Sequence, residues 1–97
     1  MIDKIFEIKD GNGRIIYLSR ERWKHIVIRH PELSNSLDNI KQTIILSYLV
    51  VQDKYDPRLY YYHIFLKRIK EYLIVSVKYL NGEGFIITAF YSKYKKK

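Results

Sequence analysis

The sequence predicts an α+β domain built from an N-terminal β-hairpin, two α-helices and then a four-stranded antiparallel β-sheet on which the helices pack. Three observations carry that expectation. The 97 residues suffice for one hydrophobic core and not for two. Apolar residues recur at helical spacing only between about positions 19 and 46. The remainder is rich in β-branched and aromatic residues, broken by Gly, Asn, Asp and Pro.

Each element has its own signal. Ile5-Phe6-Glu7-Ile8 and Ile15-Ile16-Tyr17-Leu18 flank Asp10-Gly11-Asn12-Gly13, which reads as a hairpin with a glycine-rich turn. Ser19 is suited to cap the helix that follows, because its hydroxyl can accept from a free first-turn N–H. Pro31 disfavours helical geometry at His30, so that helix should end there. Leu33, Leu37, Ile40 and Ile44 recur at spacings of four, three and four, predicting a second helix from Ser34 or Ser36 to Leu46. Strands are expected at Leu49 to Gln52, Tyr60 to Lys67, Tyr72 to Leu80 and Phe85 to Ser92. The last two should be joined by a turn over Asn81-Gly82-Glu83-Gly84. Residues 1–92 form one expected domain, and residues 93–97 a frayed basic C-terminal tail.

Composition narrows the function. Hydrophobic residues make up 47% of the chain and the mean hydropathy is -0.28, as in an ordinary globular protein. No apolar run approaches the roughly 20 residues that span a bilayer, and Asp3 and Glu7 interrupt the start where a signal peptide is apolar, so a cytoplasmic location is expected. The absence of cysteine excludes disulfides, thiolate metal sites and a cysteine nucleophile. Eighteen Lys and Arg against ten Asp and Glu give a formal charge of +8, a balance that favours polyanions. Lys93, Lys95, Lys96 and Lys97 supply half of it. In the body, Arg20, Arg22, Lys24 and Arg29 cluster in the first helix, and Lys67, Arg68 and Lys70 in an expected turn.

Possible chemistry concentrates in one run, Trp23-Lys24-His25-Ile26-Val27-Ile28-Arg29-His30-Pro31-Glu32-Leu33. At about 100° per residue, Trp23, Ile26, Val27 and His30 share an arc while Arg22, His25 and Arg29 lie together on its flank. The helix is therefore expected to dock through Trp23 and to present Arg22, His25 and Arg29 as a rim over the sheet. His25 is the candidate acid or base. His30 reads either as its partner or as a buried histidine bonded to backbone beyond the helix end. On one regular helix the two would diverge by about 140°, which disfavours a joint role unless His30 lies beyond the helix proper. His63, among Tyr60, Tyr61 and Tyr62, reads as a packing residue. Three histidines without helical H-x-x-x-H spacing make no metal site, and no cofactor is implied. Lys78, in an otherwise apolar strand, must reach solvent or line a polar cleft. Thr88 and Tyr91 could donate hydrogen bonds, but they alternate to opposite faces of a regular strand, so at most one belongs in a site unless a bulge intervenes.

Taken together, Leu18-Ser19-x-Glu21-Arg22-Trp23-x-His25-Ile26-x-x-x-His30-Pro31-Glu32-Leu33, Ile40-x-x-Thr43-Ile44, Tyr61-Tyr62, Tyr72-Leu73-x-Val75-x-Val77-Lys78 and Gly84-Phe85-Ile86-Ile87-Thr88-Ala89-Phe90-Tyr91 resemble the phage and prokaryotic PBECR-type proteins. These are small members of the barnase, EndoU, colicin and RelE-like nuclease superfamily. The pattern spans about residues 14 to 92 and departs from the family at Ser47-Tyr48, where a proline is expected. The resemblance implies a BECR or RelE-like fold and a metal-independent endoribonuclease, a toxin of a toxin–antitoxin pair or a mobile-element enzyme, that cuts RNA by attack of the ribose 2′-hydroxyl. On that reading His25, His30, Arg29, Lys78 and Thr88 are the catalytic candidates. Arg22, Lys67, Arg68, Lys70 and Tyr91 are the RNA-binding candidates. The implied partners are RNA and an acidic antitoxin protein, with no membrane. The alternative is a non-catalytic RNA- or partner-binding domain of the same fold, which the same basic residues would serve.

Overall fold

The computed structural model describes residues 3–97 and has the expected α+β class. Strands β1 (Lys4–Lys9) and β2 (Ile15–Ser19) form the antiparallel hairpin. Asp10 closes its turn, with Oδ1 accepting from the N–H groups of Asn12 at 2.8 Å and Arg14 at 2.9 Å. Helix α1 (Arg20–Arg29) follows at once, capped by Ser19, whose Oγ accepts from the Arg22 N–H at 3.1 Å. It stops at His30, ahead of Pro31.

Between the helices the chain makes a 3-10 turn, Pro31–Leu33, which buries Leu33 completely. Helix α2 (Leu37–Leu46) therefore starts at the later of the two expected positions, and Ser36, instead of capping it, shares a hydrogen bond with the Tyr91 hydroxyl at 3.1 Å. Ile40, Thr43 and Ile44 form its buried face.

Strands β3 (Leu49–Gln52), β4 (Leu59–Leu66), β5 (Glu71–Leu80) and β6 (Glu83–Ser92) make an antiparallel meander. Asn81 and Gly82 both take positive φ, 55° and 82°, as a two-residue hairpin turn between β5 and β6 requires. The expected four-stranded antiparallel sheet is nevertheless too small. One mixed sheet contains all six strands in the order β1-β2-β6-β5-β4-β3, with β2 parallel to β6. The cause is burial: Ile16 and Leu18 are wholly inaccessible, and an isolated hairpin has no second layer to cover them. Docking on β6 covers them and satisfies strand-edge backbone groups as well. Gly84 marks the junction, because a Cβ there would come within 2.9 Å of Tyr79 and Val77 and 3.0 Å of Ile16.

Leu73, Val75 and Val77 belong to the core on which the helices pack, together with Ile86 and Ala89. The strict alternation expected along β6 is broken. Ser76 pairs with Thr88 and Val77 with Ile86, which leaves Ile87 as a bulge, so Ile86 and Ala89 are both buried although three residues apart. Helix α1 is pinned by Ile26, its one fully covered residue, whereas Trp23 is only partly buried against the core. Trp23 does pack against the core as expected, but Ile26 of the same arc lies deeper.

A polar chain crosses the core. The Tyr79 hydroxyl donates to Asp10 Oδ2 at 2.8 Å and is bonded to the Tyr62 hydroxyl, while Arg14 Nε reaches the same carboxylate oxygen at 3.1 Å. The Arg14 guanidinium also lies over the Tyr79 ring, 3.9 Å from its centroid. Burial pushes the Asp10 carboxyl up, but the Tyr79 hydroxyl, the Arg14 and Asn12 N–H groups and the Arg14 charge outweigh it and hold the group below its ordinary value. The Tyr79 phenol is driven up, first by burial and then by its bonds to Tyr62 and Asp10. The network ties the first turn of the chain to β5 and β4.

The lysine tail is not frayed. The Lys96 N–H donates to His63 Nε2 at 3.0 Å, and Ser92 Oγ holds both the N–H and the carbonyl of Tyr94. A buried imidazole nitrogen needs a donor, and the tail supplies it. Among the described residues, no helix is long and apolar enough to cross a membrane.

Candidate functional site

The site arises where β2 and β6 part company. Their parallel pairing covers only Ile16 with Gly84 and Tyr17 with Phe85. Beyond Ser19 the chain becomes α1, while β6 runs on as a strand paired only with β5. Between α1 and this half of β6 lies a cleft of about 570 Å³, lined by Arg22, His25, Ile26, Arg29 and His30 from the helix side and by Ile87, Thr88, Phe90 and Tyr91 from the strand.

Local structure explains each position. Ser19 fixes the start of α1, and buried Ile26 fixes its rotation, which aims Arg22, His25 and Arg29 along the flank that meets β6. His30 is the C-cap, with φ -132° and ψ 73°, and its N–H reaches the Ile26 carbonyl at 2.7 Å. It has left the helical path, so the 140° divergence from His25 no longer applies and both histidines line the same cleft. Glu32 Oε2 lies 3.6 Å from His30 Nδ1.

On the strand side, Ser76 props the bulge. Its Oγ accepts from the Thr88 N–H at 3.2 Å and donates to the Thr88 carbonyl at 3.3 Å, standing in for a neighbouring main chain. Thr88 and Tyr91 both reach the cleft because it lies along the edge of β6, where residues from either face have access. The Tyr91 hydroxyl is tied to Ser36.

Charge in the cleft has one sign. Among the described residues, Arg22, His25 and Arg29 form no ion pair and no side-chain hydrogen bond, and no carboxylate lines the cleft itself. Glu21 faces a separate dimple on the other side of Arg22. Two guanidinium groups, two imidazoles and a threonine hydroxyl therefore surround a space of nucleotide size. They can bind an anion, neutralise charge that grows on it and move protons. Among the described residues, no three His, Cys, Asp or Glu side chains gather as a metal-ligand set.

The other candidates lie elsewhere. Lys78 Nζ is paired with Asp56 Oδ2 at 3.0 Å, at the end of the sheet where β5 meets Leu59, so it solves its own burial problem and lines no part of the cleft. Lys67, Arg68 and Lys70 occupy the β4–β5 turn as expected and line no part of the cleft. Of the ten candidates, Arg22, His25, Arg29, His30, Thr88 and Tyr91 come together.

Three contributors escaped sequence reasoning. Phe90 and Ile87 form the apolar part of the wall, and Ser76 shapes the bulge. Ser76 carried a legible signal, a lone hydroxyl inside Leu73-Ile74-Val75-Ser76-Val77. Ile87 carried none, because a bulge has no composition of its own here. Compared with known protein families, characterised proteins and solved structures, the chain finds no match.

Proposed function

We propose that this protein is a metal-independent endoribonuclease, the toxin of a toxin–antitoxin pair or a mobile-element nuclease, acting in the cleft between α1 and β6. The observation that carries the reading is the convergence of His25, His30, Arg22 and Arg29 opposite Thr88 with no carboxylate between them. In the reaction one imidazole takes the proton of a ribose 2′-hydroxyl, and O2′ bonds to the adjacent phosphorus. The P–O5′ bond breaks, and the second imidazole gives its proton to the departing O5′. The products are a 2′,3′-cyclic phosphate and a 5′-hydroxyl. Arg22 and Arg29 offset the charge added to the non-bridging oxygens, and Thr88 donates a hydrogen bond to one of them. Phe90 and Ile87 offer the nucleoside an apolar wall. An acidic antitoxin would cover the same cations, and that part of the reading is tested by whether the protein co-purifies with one.

The test uses end-labelled RNA in EDTA. Wild type should yield cyclic-phosphate ends, and His25→Ala should cut at least about 100-fold more slowly while still binding. Arg29→Gln should lower kcat by about 10²-fold. RNA that is bound but left intact by wild type makes the protein a binding module, and cleavage that EDTA abolishes makes it a metal-dependent nuclease. Either result overturns the proposal.

A further inference from the structure

His63 lies on β4, wholly inaccessible to solvent, on the sheet face opposite the helices. Its two ring nitrogens have opposite partners. Nδ1 is 3.1 Å from the Tyr61 carbonyl and 3.3 Å from the Leu49 carbonyl, and both of these can only accept. Nε2 is 3.0 Å from the main-chain N–H of Lys96, which can only donate. The ring must therefore be neutral, with its hydrogen on Nδ1 and a bare Nε2. A proton on Nε2 would replace an attractive contact with two donors facing each other.

The contact spans 33 residues and joins the body of the sheet to the tail. The side chains of residues 93–97 are all exposed, so little apolar burial holds the segment. Its other restraints are local or weak: Ser92 Oγ holds Tyr94 at the root of the segment, the Lys96 ammonium stands 4.9 Å from the Tyr61 ring centroid and that of Lys95 5.9 Å from the Tyr48 ring centroid. The charged group acting on the imidazole is the Lys95 ammonium of the tail, while that of Lys96 lies over the neighbouring Tyr61 ring. The titratable groups around it are Tyr48 before β3, Tyr61 on β4 and Tyr72 on β5, the last with its ring 6.3 Å from that of His63. Burial pushes the Tyr48 phenol up, and that of Tyr61 is pushed up to about 12 by burial and by its bond to Asp53. Among the described residues, no carboxylate lies within ion-pair distance of the imidazole. Burial, and secondarily the Lys95 charge, hold His63 below its ordinary value against the pull of the two carbonyls.

We propose that residues 93–97 are a strap clasped by neutral His63 and released when its imidazole gains a proton. Release uncovers the Tyr61, His63 and Tyr72 side of the sheet and hands four ammonium groups to any polyanion nearby. The device does not depend on what the cleft binds.

The experiment is NMR on the full-length ¹⁵N-labelled chain between about pH 7.5 and pH 5. At the upper end His63 should show the Nδ1-H tautomer and the Lys96 amide should be protected from exchange. On acidification, protonation of His63 and loss of Lys96 protection should share one midpoint, while the amides of Ile74 and Val75 stay protected. Lys96→Pro deletes the donor and should raise the His63 midpoint by roughly half a pH unit or more. Lys96→Gln, which keeps the N–H, should leave the clasp closed at neutral pH. The proposal is overturned if Lys96 is unprotected at pH 7.5, or if it stays protected after His63 titrates. It is equally overturned if Ile74 and Val75 lose protection with it, or if Lys96→Pro leaves the midpoint unmoved.

Discussion

Replacing Tyr79 by Phe removes one oxygen from the middle of a buried polar chain, and the structure sets the cost. The Tyr79 hydroxyl has a single hydrogen, which it gives to Asp10 Oδ2 at 2.8 Å. Tyr62 must therefore donate to Tyr79. Without that oxygen, Asp10 loses one charge-assisted bond but keeps the Arg14 Nε contact at 3.1 Å, a loss of about 1.5–3 kcal/mol. Tyr62, only 6% exposed, is left with an unpaired hydroxyl, at about 1–3 kcal/mol more. Relaxation and partial compensation bring the expected total to about 2–4 kcal/mol. For a domain of this size each kcal/mol lowers Tm by about 4–8 °C, so the variant should melt roughly 8–32 °C below wild type. Tyr62→Phe deletes only the outer donor and strands no buried hydrogen, so it should cost about 1 kcal/mol. Urea unfolding followed by circular dichroism measures both variants. If Tyr62→Phe proves as costly as Tyr79→Phe, the direction of donation along the chain is wrong and the reasoning fails.

Two further outcomes are expected. Gly84→Ala places a methyl against Ile16, Val77 and Tyr79 and should cost roughly 1–3 kcal/mol by overpacking, read as a lower urea midpoint with an unchanged m-value; a neutral result would mean that the β2–β6 junction yields easily. The Asp10 carboxyl is held below its ordinary value of 3.8, so in the window between the folded value and 3.8 the unfolded chain binds the extra proton. Its contribution is thus complete above pH 3.8 and lost as pH falls through the folded value. Asp10→Asn should start less stable at neutral pH and show a flatter acid limb, and equal acid slopes would assign the loss to other groups.

Much of this architecture was legible because it is locally encoded. Ser19, Pro31 and Asn81-Gly82 mark boundaries through the backbone conformations they permit, and the boundaries fall where those residues stand. What escaped depends on partners distant in the chain. Nothing between residues 15 and 19 says that its neighbour is Gly84-Phe85, and pairing at that range rests on complementary shape at Gly84. Helix phase brought Arg22, His25 and Arg29 to one flank correctly. Phase does not give depth: Trp23 and Ile26 share an arc, yet only Ile26 is fully buried. Lys78 shows the limit of inferring a site from a charge in an apolar strand, since Asp56, 22 residues earlier, answers it at 3.0 Å.

The parallel contact between β2 and β6 also governs when the cleft can come into being. One wall follows β2 and the other is β6, and they are held by pairs from opposite ends of the chain; the Asp10–Tyr79 bond beside them joins residues 69 apart. Closing a loop that long is paid in entropy before any contact rewards it, which puts this step late in folding and on the slower side for a small domain. During synthesis the free edge of β2 stays open until β6 has left the ribosome. A chain broken off before β6 has one wall and no cleft, so whatever chemistry resides there begins only once β6 is in place.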